Sequence, residues 1–155
     1  MLVFFKRFYI VKFKLPNKST IIKDIERDSD NRGRILSIVD HNIKNVSIIE
    51  TFSNSMRSNH FHHKDFHFMY ILEGEIDYFF KPLNSDEISY FKIEAGTTIF
   101  TPNNEIHSCH FPVNTKMVVS SGFPRDQKTY EADTVRVDFI NKENLQKMIE
   151  IYGKK

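Results

Sequence analysis

Histidines are concentrated in one part of this chain, at spacings that could assemble a metal site. Six of the seven lie between positions 60 and 110. Residues two apart on a strand project from the same face, so His60 and His62 could both reach one ion about 2.0–2.1 Å from each ring nitrogen. His67 and His107 are expected on the inward faces of other strands, which raises the set to four. A lone His-x-His pair is as often an exposed strand edge, and the fuller set is what favours a metal.

Four nitrogen ligands restrict the metals that this site would suit. Imidazole binds zinc, nickel, copper or ferrous iron, whereas calcium and magnesium prefer oxygen ligands. The sequence therefore predicts one divalent transition metal and leaves its identity open. Isolated histidines such as His41 and His110 are interpreted as surface or hydrogen-bonded residues.

The elements that must position these histidines are predicted to be β-strands. The chain has fifteen phenylalanines and six tyrosines but only five glycines, and aromatic residues favour pleated surfaces. Short apolar runs broken by turn clusters indicate an antiparallel sandwich or barrel. The predicted strands are Ile35–Val39, Val46–Phe52, Asn59–His63, Phe66–Leu72, Glu75–Lys81, Ile88–Ile93, Thr97–Thr101, Glu105–Phe111, Lys116–Ser120 and Thr134–Phe139.

A tight turn is predicted at Glu73-Gly74, since a two-residue turn with glycine second fixes the register of a hairpin. The expected pairs are Leu72 with Glu75, Ile71 with Ile76, Met69 with Tyr78 and His67 with Phe80. Alternation along each strand then places one set of side chains on a single face, which we take as inward. This set is His67, Met69, Ile71, Ile76, Tyr78 and Phe80.

The whole chain of 155 residues is predicted to form one domain, because a chain of about 150 residues buries about 70% of its unfolded surface. Residues 1–34 would form an N-terminal extension and first strands, 35–139 the barrel and 141–153 a helix capped by Asn141. The hydrophobic first fifteen residues are interpreted as a strand, since basic residues interrupt them and they are shorter than a membrane span.

The segment from His60 to Gly74 resembles the first sequence motif of the cupin superfamily. That motif has His-x-His, three or four residues, glutamate, six residues and glycine. This chain has His60-Phe61-His62, four residues, His67, six residues and Gly74, so histidine replaces the glutamate.

The second cupin motif is similar to the segment from Gly96 to Phe111. Its spacing is kept through Gly96, Pro102 and His107, while Asn104 replaces a glycine and Phe111 replaces an asparagine. The resemblance implies an all-β cupin fold, a double-stranded β-helix or jelly-roll barrel, here with a short C-terminal helix. It also implies that a metal is bound at the positions of His60, His62, His67 and His107.

Two shorter segments resemble the nucleotide-sugar 3,4-ketoisomerases and 3,5-epimerases, which are cupins. One is Asp30–Leu36 and the other is Arg57–Lys64, which also looks like the metal-binding cupin domains of capsular-sugar reductases. The resemblance implies a nucleotide-linked or other carbohydrate substrate and proton transfer next to a carbonyl. A neutral histidine or a tyrosine such as Tyr78 is the candidate proton carrier, and the candidate substrate-binding residues are Arg57, Lys64, Met69 and Phe80.

Two other functions stay open at this point. A ferrous dioxygenase would use positions that the histidines leave free for oxygen and substrate. A non-enzymatic sensor or sugar-binding cupin would use Met69, Tyr78 and Phe80 simply as a pocket lining. Many of the related sugar enzymes work without metal and use the His-x-His histidine as a base, a role that His60 or His62 cannot combine with ligating a metal.

Composition limits the partners. A net charge of +2 without a strongly basic block argues against nucleic acid, and no apolar run is long enough for a membrane span. The single cysteine, Cys109, fits a reducing compartment, so the cytoplasm is expected. Phe66 and Phe68 lie opposite His67 on their strand, and an apolar outer face of this kind predicts a homodimer.

Overall fold

A computed structural model describes residues 14–23 and 25–153 of the chain. The strands are β1 Thr20–Ile22, β2 Ile25–Asp30, β3 Gly33–Ser37, β4 Asn45–Thr51, β5 Ser55–His62, β6 His67–Glu73, β7 Glu75–Pro82, β8 Ser89–Glu94, β9 Thr98–Thr101, β10 Glu105–Phe111, β11 Thr115–Ser121 and β12 Thr134–Arg136. The helices are α1 Gln127–Asp133 and α2 Leu145–Tyr152. The strand predicted over the first fifteen residues falls almost wholly outside the described residues.

Two five-stranded antiparallel sheets enclose the core. The front sheet has the order β1-β9-β6-β11-β4 and the back sheet has the order β12-β5-β10-β7-β8. Between them, side chains of both sheets form one buried apolar cluster that includes Met69 and Ile71 from the front and Ile76 and Phe80 from the back. This arrangement confirms the prediction of an all-β fold, and each of the ten strands predicted between Ile35 and Phe139 overlaps an observed one.

The segment Asp30–Leu36 forms a hairpin away from the two large sheets. Among the described strands, β2 and β3 pair only with each other, with Asp30 opposite Gly33. The first strands were predicted only as part of residues 1–34, and the bounds of β2 were not predicted, because its sequence is charged and polar and shows no apolar alternation. The side chain of Ile35 is 61% exposed, so this hairpin contributes little to the core.

The predicted pairing across Glu73-Gly74 is wrong, although the predicted inward face is correct. Strand β6 pairs with β9 and β11, whereas β7 pairs with β8 and β10. The turn therefore carries the chain from the front sheet to the back sheet. Gly74 has φ +88°, and a Cβ there would lie 2.5 Å from Asn114 O. Strands β6 and β7 still direct the predicted set of side chains inward, because strands of two opposed sheets face one common core.

Helix α2 covers the outer face of the back sheet. Its residues Leu145, Met148 and Ile149 pack on a second apolar cluster built around Phe79 and Ile140. The predicted C-terminal helix is thus present but begins later than Asn141. The Asn141 carboxamide oxygen instead accepts from the backbone N–H groups of residues 143 and 144, in the turn before the helix.

The apolar residues behind the homodimer prediction are largely covered within the described chain. Phe68 is only 4% exposed and packs against Phe66 and Phe100. Exposed apolar side chains occur instead along β4, where Val46 and Ile48 are both more than half exposed. The homodimer stays a prediction. In the described residues, neither helix has the length and apolar character needed to cross a membrane.

Candidate metal centre

A bulge in β5 aims the His-x-His pair into the space between the sheets. His60 pairs with His107 of β10, but the next pair is Ser58 with Ser108, so Asn59 is an extra residue. Asn59 has φ +54°, a left-handed conformation that asparagine tolerates. On the outer side its amide donates to Ile140 O at 2.7 Å and accepts from Ile140 N at 3.0 Å. The bulge is therefore held from outside while the imidazoles point inward.

The structure brings the four predicted imidazoles together. Ring centroids are 4.6 Å apart for His60 and His62, 4.7 Å for His60 and His107, and 5.3 Å for His67 and His107. Nitrogen atoms of His60, His62 and His107 all lie within 4.8 Å of one another, and a second such group joins His62, Asp65 and His67. The four rings are therefore close, and His67 belongs to a different group of three from His60 and His107.

Hydrogen bonds determine which ring nitrogen of His62 is free. The Thr134 hydroxyl donates its proton to Tyr130 O at 2.7 Å, so its oxygen accepts from His62 Nδ1 at 3.2 Å. Asp133, whose Oδ2 lies 3.7 Å from the same nitrogen, is also an acceptor. His62 therefore carries its proton on Nδ1, and its Nε2 has a free lone pair.

His107 has the same tautomer. Its Nδ1 donates to the backbone oxygen of Glu105 at 3.2 Å. The Nε2 atoms of His62 and His107 are both buried and have no hydrogen-bond partner among the described residues. Buried polar atoms in folded proteins normally have a partner, and metal-binding histidines typically donate their other ring N–H to a carbonyl or similar acceptor. These residues therefore fit a bound transition metal.

The imidazoles of the centre are held in the neutral form that metal ligation requires. Burial lowers the pKa of His60 to about 2, of His62 to about 3 and of His107 to about 4, and the positive charge of Arg125 lowers each of them by a smaller amount. Burial also lowers the pKa of His67 well below its ordinary value. All four rings are therefore ready at neutral pH to use a nitrogen lone pair.

A cavity of about 120 Å³ adjoins the histidines. Its polar lining includes Arg57 of β5, Arg125 of the segment after β11 and Tyr130 of α1, and its apolar lining includes Met69. No carboxylate among the described residues lines it. The cavity thus presents cationic and neutral groups, which suits an electron-rich ligand.

The other predicted site residues are dispersed. Phe80 is 3% exposed in the apolar core, and it does not line the cavity. Lys64 lies in a separate surface groove, with its ammonium 5.6 Å from the Phe123 ring. The Tyr78 hydroxyl, which is fully buried, bonds to Ser19 Oγ and Thr101 Oγ1 at 2.8 Å each. Burial raises the pKa of Tyr78 well above its ordinary value, so this placement does not support a proton carrier.

Arg125 and Tyr130 were missed by sequence reasoning. The Arg125 guanidinium lies 5.3 Å from the Tyr130 ring centroid, and the Tyr130 ring lies 5.6 Å from His62. Both come from the segment around α1, a seven-residue polar helix that shows no apolar periodicity. The one local signal was Asp126, whose side chain caps the helix by accepting from Thr129 N at 3.1 Å.

Two buried aspartates connect this segment to the histidines. Asp133 accepts from the backbone N–H groups of Lys64 and Asp65, each at 2.9 Å. Asp65, 3% exposed, accepts from Phe123 N at 3.0 Å and from Arg125 Nη2 at 2.9 Å. Arg125 Nη2 also lies 3.4 Å from His67 Nδ1. A chain of hydrogen bonds thus runs from α1 through the two carboxylates to His67.

Solved structures with the same fold are found at low sequence identity. A sugar 3,4-ketoisomerase from Thermoanaerobacterium thermosaccharolyticum in complex with TDP superposes with a TM-score of 0.61, 19% identity, and coverage of 90% of this chain and 98% of that chain. The TDP-quinovose 3,4-ketoisomerase WlaRB from Campylobacter jejuni superposes with a TM-score of 0.60 and 18% identity, covering 76% of this chain and 97% of that chain. The dTDP-4-dehydrorhamnose 3,5-epimerase from Sulfolobus tokodaii superposes with a TM-score of 0.62 and 12% identity, covering 84% of this chain and 85% of that chain.

No protein-family model and no curated protein sequence matches the chain. The structural likeness, at under 20% identity in each of these cases, establishes the fold. The chain has the cupin jelly-roll fold with a short C-terminal helix, as the two motifs predicted.

Proposed function

We propose that this protein is a metal-binding cupin that isomerises or epimerises a nucleotide-linked keto-sugar. The observation that carries the metal is the pair of buried Nε2 atoms on His62 and His107, which have no partner in the part of the chain that the structure describes and lie beside His60. The sugar is supported by the likeness to ketoisomerases and an epimerase whose substrates are TDP-linked sugars. A divalent transition metal bound here would polarise a carbonyl group at the cavity.

The size of the cavity limits how such a substrate would sit. Ligand pockets commonly measure about 300–1,000 Å³, whereas this cavity measures about 120 Å³. Only the reacting part of the sugar would enter, and the nucleotide would stay outside. Arg57 donates to Thr51 Oγ1 at 2.9 Å and forms no ion pair with a described carboxylate, so its remaining N–H groups can hold the diphosphate.

Metal binding is tested by elemental analysis of purified protein and of protein reconstituted with zinc, nickel or ferrous iron. We expect about one ion per chain in the parent. The double variant His60→Ala/His62→Ala should lose at least about 100-fold in affinity, since even groups that only support a metal ligand contribute 10–100-fold. His63→Ala is the matched control, because His63 follows the pair but is exposed. A parent that holds no transition metal after reconstitution contradicts the proposal.

Isomerase or epimerase activity is tested with TDP-4-keto-6-deoxyglucose in deuterated water. Protons next to the keto group should exchange with solvent, because loss of such a proton leaves a charge that the carbonyl oxygen can accept. NMR of the sugar would show exchange at C3 for a 3,4-ketoisomerase, and at C3 and C5 for a 3,5-epimerase. Exchange should disappear in the His60→Ala/His62→Ala variant.

A ferrous dioxygenase is the second candidate, because a set of three imidazoles leaves coordination positions for substrate and oxygen. Oxygen uptake that depends on an added substrate, without proton exchange in the keto-sugar, would favour it. A protein that holds metal and binds the keto-sugar but shows neither reaction would be a sugar-binding cupin.

A further inference from the structure

His67 differs from its neighbours in the tautomer that its surroundings impose. A guanidinium group has five N–H donors and no acceptor. Arg125 Nη2 lies 3.4 Å from His67 Nδ1, so Nδ1 must accept and the proton of the neutral ring must be on Nε2. This is the opposite of His62 and His107, which carry their protons on Nδ1. A nitrogen that carries a proton has no lone pair for a metal.

The guanidinium that selects this tautomer is held in place. Asp65 Oδ2 accepts from Arg125 Nη2 at 2.9 Å and from Nε at 3.2 Å, while Oδ1 accepts from Phe123 N. With three donors already on its carboxylate, Asp65 is not free to join His67 in a metal site. The segment that carries Arg125 is fixed further by Gly122, where a Cβ would lie 2.2 Å from the Phe66 ring.

His67 also borders the open space of the site. His67 lines the cavity together with His60 and His107, and its ring centroid lies 5.3 Å from that of His107. An Nε2–H group on this ring is therefore placed to donate to an oxygen atom of a ligand in the cavity. Neutral imidazole donors of this kind stabilise an oxyanion that develops during proton transfer next to a carbonyl.

We propose that His67 is a hydrogen-bond donor to the substrate and not a fourth metal ligand, with Arg125 and Asp65 as the positioning residues that hold its Nε2–H tautomer. The catalytic part of this inference rests on the proposed function, whereas the tautomer does not. The metal would be held by His60, His62 and His107 alone. The histidine that replaces the cupin glutamate thus gains a different role.

The tautomer is tested by two-bond ¹H–¹⁵N NMR of the histidine rings in the metal-free protein. We expect His67 to show an Nε2–H pattern and His62 and His107 to show Nδ1–H patterns. Arg125→Met should remove the preference of His67 only. Arg136→Met is the matched control, because Arg136 is paired with Glu131 on the surface. An Nδ1–H pattern on His67 in the parent overturns the inference, whether or not the protein binds metal.

Metal affinity and kinetics test the role. The metal affinity of His67→Ala should stay within about threefold of that of the parent, whereas the metal affinity of His62→Ala should fall at least about 100-fold. His67→Ala should lower kcat for keto-sugar exchange about 100-fold with little change in KM, and His67→Gln, which retains an N–H donor, should recover part of it.

The outcomes separate the inference from the proposed function. Loss of metal in His67→Ala comparable with that in His62→Ala would show that His67 is a ligand and would overturn the inference. Unchanged kcat in His67→Ala would overturn the donor role. A protein with neither metal nor keto-sugar exchange would contradict the proposed function, and the NMR pattern of His67 would then decide the tautomer by itself.

Discussion

The metal-free protein is expected to lose about 4 kcal/mol of its free energy of unfolding when the pH falls from 7.5 to 5.5. In the unfolded chain each imidazole binds a proton near pH 6.5. In the folded protein burial lowers the pKa of His60 to about 2, of His62 to about 3 and of His107 to about 4. The unfolded state therefore holds more protons below pH 6.5, and each of these three rings contributes about 1.4 kcal/mol of the loss between pH 7.5 and 5.5.

Other buried groups modify this slope. Burial lowers the pKa of His67 as well, which acts in the same direction. Burial raises the pKa of Asp65 and of Glu105, and a carboxyl group with a raised pKa acts in the opposite direction. Because domains of this size are stable by only about 5–15 kcal/mol, the histidines alone can bring the metal-free protein close to unfolding in mild acid.

Urea unfolding at a series of pH values, in the presence of a chelator, measures this effect. The variant His60→Gln should reduce the loss between pH 7.5 and 5.5 by the share of one ring, about 1.4 kcal/mol. Saturation with metal should increase stability at neutral pH, because only the folded state holds the site. A metal-free parent with the same stability at pH 7.5 and 5.5 would show that the rings are accessible to protons in the folded protein.

The variant Asp65→Asn is expected to destabilise the metal-free protein by about 3 kcal/mol, because removal of one partner leaves the other charge buried and uncompensated. The Asp65 side chain is 3% exposed and that of Arg125 is 18% exposed. Breaking a buried ion pair in this way usually costs about 3–5 kcal/mol. The low end of that range is expected here, since Arg125 keeps some contact with water. In this variant the new side-chain NH₂ group would face a donor in place of an acceptor. The hydrogen bond from Phe123 N, which anchors the segment after β11, would then be disturbed.

Urea unfolding at pH 7.5 measures this change. Glu131→Gln is the matched control, because it removes a carboxylate from a pair with Arg136 on the exposed face of α1 and should change stability little. The double variant Asp65→Asn/Arg125→Met should recover part of the loss, since no buried charge is then left alone. A parent-like stability of Asp65→Asn would show that the ion pair contributes no net stability.

Strand positions and inward faces were predictable because they depend on local periodicity. Alternation placed Met69, Ile71, Ile76 and Phe80 on the buried face, and the structure has all four in one core. The same alternation cannot distinguish two strands that pair in one sheet from two strands that face each other across a core. For this reason the pairing of β6 with β7 was wrong although both faces were right.

The amino-acid sequence by itself predicted the strands through local alternation, and its resemblance to the two cupin motifs implied the jelly-roll fold and the histidine set, because alternation and motif spacing are local properties. Only the tertiary structure decided what each histidine can do. The partners that set the tautomers of His62 and His67 are Thr134 and Arg125, which are 72 and 58 residues away along the chain. Which ring nitrogen holds the proton depends on these distant contacts, and no local pattern in the sequence encodes them.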